Sequence, residues 1–283
     1  MKTPAHPMLK YLKTSSPTGD RLPTILCPGC GHGQVLNYTM YAVDQILQAE
    51  EAEKEQFVFV TGVGCAARLA SQYLAFDSIW SLHGRTPAVA TGILMGNPDL
   101  KVIIWAGDGD VAAIGGNHLI HACRRNIDLT VICMNNGIYG MTGGQVAPTT
   151  LPGTITTTTP YRNMERAFDL CELTRSAGAT YVARWTTAHA RSCVRAIAKG
   201  IRKKGLAFIE ILTQCPTHQR LRASEILQSF RETTVLRAQY DKEPDKYKEH
   251  IILGEFVDAE APEWIASAQD IIRQQCGVIS HGR

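Results

Sequence analysis

The sequence has no run approaching the roughly 20 apolar residues needed to cross a bilayer, and its first residues lack the apolar stretch of a secretory signal. These absences predict a cytoplasmic chain with no membrane span. Massed charge is missing too. The 29 Lys and Arg are nearly balanced by 26 Asp and Glu scattered through 283 residues, which argues against a nucleic-acid surface or a membrane-binding stripe. Short basic runs such as Arg202-Lys203-Lys204 read as solvated helix faces. No internal repeat or low-complexity tract interrupts the chain. What is present is an ordinary globular composition, 45% hydrophobic, long enough for a sizeable core in one large α/β domain or a domain plus a tail. It also has nine cysteines, which in a cytosolic chain of this size point to metal ligation or redox chemistry rather than a disulfide framework.

Apolar, β-rich runs recur at Phe57–Val60, Val102–Trp105, Leu129–Met134, Tyr181–Ala183 and Leu206–Leu212. Most are too continuously apolar for half-exposed strands and are expected to be buried and parallel. Helix-period segments lie between them, at Gln34–Ala49, Ala66–Ala75, Thr86–Met95, Gly115–Arg124, Asn163–Ala177 and Ala188–Lys203. This alternation predicts a doubly wound α/β fold with a mainly parallel sheet. Residues 1–23, polar and holding four prolines, read as an N-terminal arm that packs on something, such as a second subunit. Thr149–Pro160 reads as an ordered loop or partner contact. After about Cys215 the pattern weakens into charged segments, so residues 218–283 are expected to form a tail laid over another subunit.

Two loops carry chemistry. Val102–Trp105 runs into Gly107-Asp108-Gly109-Asp110, and Leu129–Met134 runs into Asn135-Asn136-Gly137-Ile138-Tyr139-Gly140. In a parallel sheet both fall at the carboxyl edge, where such folds bind ligands. The glycines let backbone amides approach a phosphate, and the oxygens of Asp108 and Asn136 are hard ligands suited to magnesium. A helix starting near Gly115 would add its positive end. His83, in His83-Gly84-Arg85 just before the helix from Thr86, could donate to a phosphate oxygen. His118 and His121 read as packing or interface residues. Cys27-Pro28-Gly29-Cys30 puts two thiols on one turn, a spacing that suits a redox pair, zinc or an iron–sulfur cluster. Cys65 and Cys215 lie in loop contexts at strand ends, bringing the candidate ligands to four. Cys123, Cys133, Cys171 and Cys193 sit in apolar segments and read as inert thiols, while Cys276 is uninterpreted.

A Gly-Asp-Gly followed about thirty residues on by Asn-Asn resembles the pattern of thiamine-diphosphate enzymes, and here Asp108 and Asn136 lie 28 residues apart. By that likeness Asp108, Asn136 and the carbonyl of Ile138 hold the magnesium. The likeness extends further. From about Pro23 to Thr217 the chain is similar to the β subunit of 2-oxoacid:ferredoxin oxidoreductases, through Cys27-Pro28-Gly29-Cys30, Gly64-Cys65, His83-Gly84-Arg85, Gly107-Asp108-Gly109-Asp110, Gly115-Gly116-Asn117-His118, Asn135-Asn136, Tyr139-Gly140-Met141-Thr142-Gly143-Gly144-Gln145 and Cys215-Pro216-Thr217.

That resemblance implies a thiamine-diphosphate-binding domain over residues 24–217, with Gly64, Cys65, His83, Gly84, Gly109, Asp110, Gly140 and Met141 lining the cofactor. It implies that Cys27, Cys30, Cys65 and Cys215 ligate a [4Fe–4S] cluster. The expected activity is coenzyme A-dependent oxidative decarboxylation of a 2-oxoacid to acyl-CoA and carbon dioxide, with electrons leaving through the cluster to ferredoxin. The activating glutamate is expected on an α subunit, so the chain alone would be inactive. The enzyme would be a dimer of heteromers, with further small subunits in some forms. Residues 116–128 and 139–145 look most like 2-oxoglutarate-type members, and Arg68 stands where relatives carry a cation near the substrate. Pyruvate, branched-chain and aromatic 2-oxoacids are the alternative substrates. The competing classes are a non-redox thiamine-dependent decarboxylase, which has no use for four cysteines, and a cluster-only scaffold, which leaves Asp108 and Asn136 unexplained.

Overall fold

The computed structural model describes residues 6–12 and 24–276. Its frame is an eight-stranded sheet in the order β2-β1-β3-β4-β8-β7-β10-β9. The strands are β1 Phe57–Thr61, β2 Asp77–Trp80, β3 Lys101–Gly107, β4 Leu129–Asn135, β7 Tyr181–Thr186, β8 Ala207–Leu212, β9 Thr234–Leu236 and β10 Ile251–Asp258, with a separate ribbon β5 Ile138–Tyr139 and β6 Gln145–Val146. From β2 through β7 every pairing is parallel, whereas β10 runs antiparallel to β7.

Side chains alternate across a pleated strand, so each central strand feeds two cores. Phe57, Phe59, Ile103, Trp105, Ile132 and Ile209 pack under helices α2 (Gly31–Gln48) and α7 (Ala190–Arg202). Val58, Val60, Ile104, Val131 and Phe208 face the opposite layer, with α4 (Thr86–Gly96), α5 (Gly116–Arg124) and α6 (Leu170–Ser176). Burial on both faces explains why these strands read as continuous apolar runs. Cys123, Cys133, Cys171 and Cys193 are all buried in these layers.

The structure differs from the sequence reading in three places. The segment expected to be helical from Asn163 becomes helix only at Leu170, because the Asn163 amide donates to Thr150 O at 2.9 Å and Asp169 caps α6 by accepting from Glu172 N at 3.1 Å. The expected tail is partly sheet: β9 and β10 extend it beyond β7, and Lys199 holds β10 through Glu255 and Asp258, each at 2.8 Å. The third difference lies in the basic run read as solvated: Arg202 and Lys204 are exposed as read, but the Lys203 side chain is only 10% exposed and pairs with Asp258 and Glu260.

The described part of the expected arm, residues 6–12, packs on this chain itself. Helix α1 (Pro7–Lys10) leads to Tyr11, whose hydroxyl donates to Asp44 at 2.6 Å, and Leu12 bridges to Leu74. Residues 1–5 and 13–23 of that arm lie outside the described residues. The Thr-rich loop is ordered by its own hydroxyls: Thr150 donates to Gly137 O at 2.6 Å, and Thr158 accepts from Val146 N at 3.0 Å. Among the described residues no helix is long and apolar enough to cross a membrane.

One buried ionic network ties the layers. The Glu210 carboxylate on β8 accepts from Arg184 Nε of β7 at 2.6 Å and from Asn135 Nδ2 of β4 at 2.7 Å. Arg184 also reaches Asp169. Replacing Glu210 with Leu strands the buried guanidinium with half its partners, and is expected to cost about 3–5 kcal/mol in denaturant unfolding. A loss below about 1 kcal/mol would show that the network does not hold the layers.

Candidate active site

Five loops leave the sheet at one edge and build two adjoining cavities. The first begins where β3 ends. Asp108 opens a π-helical turn, Gly109–Ile114, closed by donation from Gly115 N to Asp110 O at 3.0 Å, and α5 follows at Gly116. The helix expected near Gly115 is thus extended backwards by one wide turn, a device that re-aims side chains at functional sites.

Asp108 is 2% exposed, and burial raises its carboxyl to about 6 even though the Thr149 hydroxyl and the backbone amides of Asn136 and Gly109 favour the ionised form. Asn136, beyond the end of β4, is shaped by an Asx turn in which Ile138 N donates to its Oδ1 at 3.2 Å. Asp110 is also buried. Its Oδ1 accepts from Gly84 N at 2.7 Å and stands 3.0 Å from His83 Nδ1, while its Oδ2 has no partner. Burial is the largest influence on Asp110 and raises its pKa.

Close packing explains the glycines. A Cβ on Gly109 would sit 2.3 Å from the Tyr139 ring, and one on Gly62 would sit 2.0 Å from Asp110 Oδ2. Gly84 combines φ +73° with a would-be Cβ 2.6 Å from Gly115 N, so only glycine fits there. Asp108, Asn136, Ile138, Gly64, Cys65, His83, Gly109, Asp110, Gly140 and Met141 all line this cleft. Gly84 supports it from behind through Asp110.

The second cavity, about 250 Å³, is lined by Cys27, Cys30, Cys65 and Cys215, with Arg68 on its wall. These residues come from three distant stretches of chain. Cys30 N donates to Cys27 O at 3.0 Å to close the first turn, and Cys30 then caps α2. Gly31 N donates to Gln214 O at 3.1 Å, which seats that turn against the loop carrying Cys215. Gly140 lies between the cavities, where a Cβ would stand 3.7 Å from both Cys65 Sγ and Cys215 Sγ. Burial pushes the Cys30 thiol up to about 11 and raises Cys65 and Cys215 as well. Without a bound cation these cysteines are therefore thiols. Among the described residues no three His, Cys, Asp or Glu side chains converge on one metal ion. The cysteines instead stand round a space.

Two histidines escaped the sequence reading. His32, two residues after Cys30, is buried on the walls of both cavities, and burial lowers it to about 4. His218, three residues after Cys215, meets Gly140 O through Nε2 at 2.8 Å. Their nearness to the cysteine motifs was the available signal. His118 and His121 lie on α5 and line neither cavity.

Residues 62–211 match the family described as thiamine pyrophosphate enzyme, C-terminal TPP binding domain. The 2-oxoglutarate synthase subunit KorB of Methanocaldococcus jannaschii is 46% identical over 275 residues, covering 95% of this chain and 98% of the relative. KorB of Methanothermobacter marburgensis is 44% identical, covering 99% and 96%. Among solved structures, the 2-oxoglutarate:ferredoxin oxidoreductase of Magnetococcus marinus, with 2-oxoglutarate, coenzyme A and succinyl-CoA bound, superposes with a TM-score of 0.85 at 28% identity, covering 99% of this chain and 94% of that one. With the thiamine fold and its two-cavity edge in place, this likeness over nearly the whole length means that the chain belongs to the β subunits of 2-oxoacid:ferredoxin oxidoreductases of the 2-oxoglutarate type, one subunit of a multi-subunit enzyme.

Proposed function

We propose that this chain carries thiamine diphosphate, magnesium and a [4Fe–4S] cluster, and with an α subunit converts 2-oxoglutarate and coenzyme A to succinyl-CoA and carbon dioxide, passing electrons to ferredoxin in the cytoplasm. The observation that carries this reading is the adjacency of the two cavities, which share Cys65, Asn136, Gly140 and Met141 as walls. A redox group seated among the cysteines therefore lies beside the cofactor it oxidises. Four cysteines ringing a space favour a polynuclear cluster over a mononuclear zinc, which draws its ligands to one point.

When bound, thiamine diphosphate supplies the nucleophilic carbon and electron sink for decarboxylation, and the cluster supplies one-electron oxidation. The chain's own residues hold and shield these groups. Asp108, Asn136 and the Ile138 carbonyl would bind magnesium, an assignment supported by the buried Asp108 carboxylate and the oxygen-rich donor set. Asp110 keeps His83 at the cleft where phosphate oxygens would lie, and is itself anchored by Gly84 N. Arg68, exposed on the wall of the cysteine cavity, is assigned to pair with the distal carboxylate of 2-oxoglutarate, a reading supported by the match of a guanidinium to a carboxylate. The activating glutamate is assigned to the α subunit. The exposed Ile271 and Ile272 of α11 (Trp264–Cys276) are consistent with a subunit contact by the last residues of the chain. A low-potential cluster and reduced thiols suit a cytoplasmic setting.

Three outcomes are expected. The co-purified complex, assayed without oxygen against a panel of 2-oxoacids, should turn over 2-oxoglutarate fastest and only with coenzyme A and a low-potential acceptor. Iron-free protein that releases carbon dioxide without either would sink the redox reading. Cys30→Ala or Cys215→Ala should take the iron content of this chain from about four atoms toward none while thiamine content is kept. Equal iron in the variants would remove those cysteines from the ligand set. Asp108 supplies a pH test. Only its ionised form holds magnesium, so magnesium-dependent thiamine diphosphate affinity, measured by titration, should fall about tenfold per unit below pH 6. Because the folded pKa is raised, the folded state binds more protons than the unfolded one between the ordinary 3.8 and about 6, so the cation-free form should lose stability as pH rises through that window. Asp108→Asn should abolish the magnesium dependence and make the stability loss shallower, the remainder coming from Asp110, which burial also raises.

A further inference from the structure

The imidazole of His32 has no assigned task, yet its position is tightly constrained. It is the second residue of α2, and the preceding Gly31 lies so close to the strand-end loop that a Cβ there would stand 2.5 Å from Gln214 Oε1 and 2.9 Å from Gln214 N. Gln214 is fixed in turn, its Oε1 accepting from the Thr187 hydroxyl at 2.6 Å and its Nε2 donating to Gln34 Oε1 at 2.6 Å. The start of the helix is thus clamped one residue before Cys215, and the His32 ring is held in the partition between the thiamine cleft and the cysteine cavity.

The ring is 2% exposed, and neither Nδ1 nor Nε2 has a hydrogen-bond partner. Buried polar atoms are paired in nearly all folded proteins, so two orphans on one ring point to partners that arrive with a ligand. In either protonation state the imidazole has at least one N–H to give. On the cysteine side the cavity offers sulfur acceptors from four residues, while the neighbouring His218 is already engaged with Gly140 O at 2.8 Å.

We propose that His32 donates an N–H to a sulfur of the cluster held by Cys27, Cys30, Cys65 and Cys215, and so sets the reduction potential of the electron acceptor beside the thiamine. This rests on the cluster reading given above. A donor to cluster sulfur stabilises the reduced, more negative state more than the oxidised one and raises the potential. Because the ring also lines the thiamine cleft, the tuning group sits where the two cofactors adjoin.

The test is a redox titration of the anaerobically purified complex followed by electron paramagnetic resonance, reading the signal assigned to this chain by its loss in Cys30→Ser. His32→Leu is expected to keep its iron and thiamine while the midpoint becomes more negative by about 59 mV, a tenfold shift in the oxidised-to-reduced ratio for a one-electron couple. His32→Gln, which keeps an N–H donor, should recover most of that shift. Should Leu prevent assembly, His32→Met supplies the apolar, donor-free comparison. An unchanged midpoint in an iron-replete apolar variant, or a Gln variant no different from it, would overturn the inference alone. An iron-free wild-type complex would overturn the cluster reading and this inference together.

Discussion

In-register parallel pairing of the central strands is the constraint on which everything else in this molecule depends. Thr61 pairs with Trp105, Gly107 with Met134, and Asn135 with Leu212, so β1, β3, β4 and β8 end at nearly the same height. Because every carboxyl end faces the same way, the loops carrying Cys65, Asp108, Asn136 and Cys215 emerge side by side although up to 150 residues separate them in the chain. A single reversed strand among the four would carry its loop to the far edge of the sheet. The two strands that do run the opposite way, β10 and its parallel neighbour β9, are added outside β7, where no cavity residue depends on their direction.

The fold spends stability at this edge. Asp108 and Asp110 are buried carboxylates raised by desolvation, Asp110 Oδ2 is unpaired, and both nitrogens of His32 are unsatisfied. Each such group opposes folding until a ligand meets it. The contrast lies one residue before Asn136, where Asn135, Glu210 and Arg184 form a buried network whose partners come from neighbouring strands. The network of Asn135, Glu210 and Arg184 is satisfied within the chain, whereas Asp110 Oδ2 and the His32 ring, on the cavity walls, are left without partners.

Two cavities divided by a thin partition give the chemistry its geometry. Cys65 belongs to both, coming from the loop after β1 that also supplies Gly64 to the thiamine side. Gly140 lies in the partition itself, 3.7 Å separating its would-be Cβ from the Cys65 and Cys215 sulfurs, while on the thiamine side Gly109 lets the Tyr139 ring approach closely. Electron transfer weakens with distance, so on the proposed reading a wall built from His32, Cys65, Asn136, Gly140 and Met141 would keep donor and acceptor close.

Much of this was legible in the sequence, for physical reasons that can be named. Strands buried on both faces must be continuously apolar, so β1, β3, β4, β7 and β8 stood out, and the glycine-rich loops following two of them marked the ligand edge. The cysteine turn and the two ligand loops were visible because their chemistry requires those residue types, and the pairing of Asp108 with Asn136 was visible through its resemblance to thiamine-diphosphate enzymes. The four-residue edge strand β2 and the half-exposed β10 were not visible, since neither carries a continuous apolar run and pairing alone makes them strands. Local pattern likewise extended the helix before α6 too far, because the amide of Asn163 is claimed by the distant Thr150 carbonyl. The sequence by itself determined the layers, the ligand edge and the types of donor atom, all of which follow from periodicity and composition. Only the tertiary structure decided that Cys27, Cys30, Cys65 and Cys215 surround one space and that His32 stands between it and the thiamine cleft, because those relations are set by strand register and by the close approach of Gly31 to Gln214.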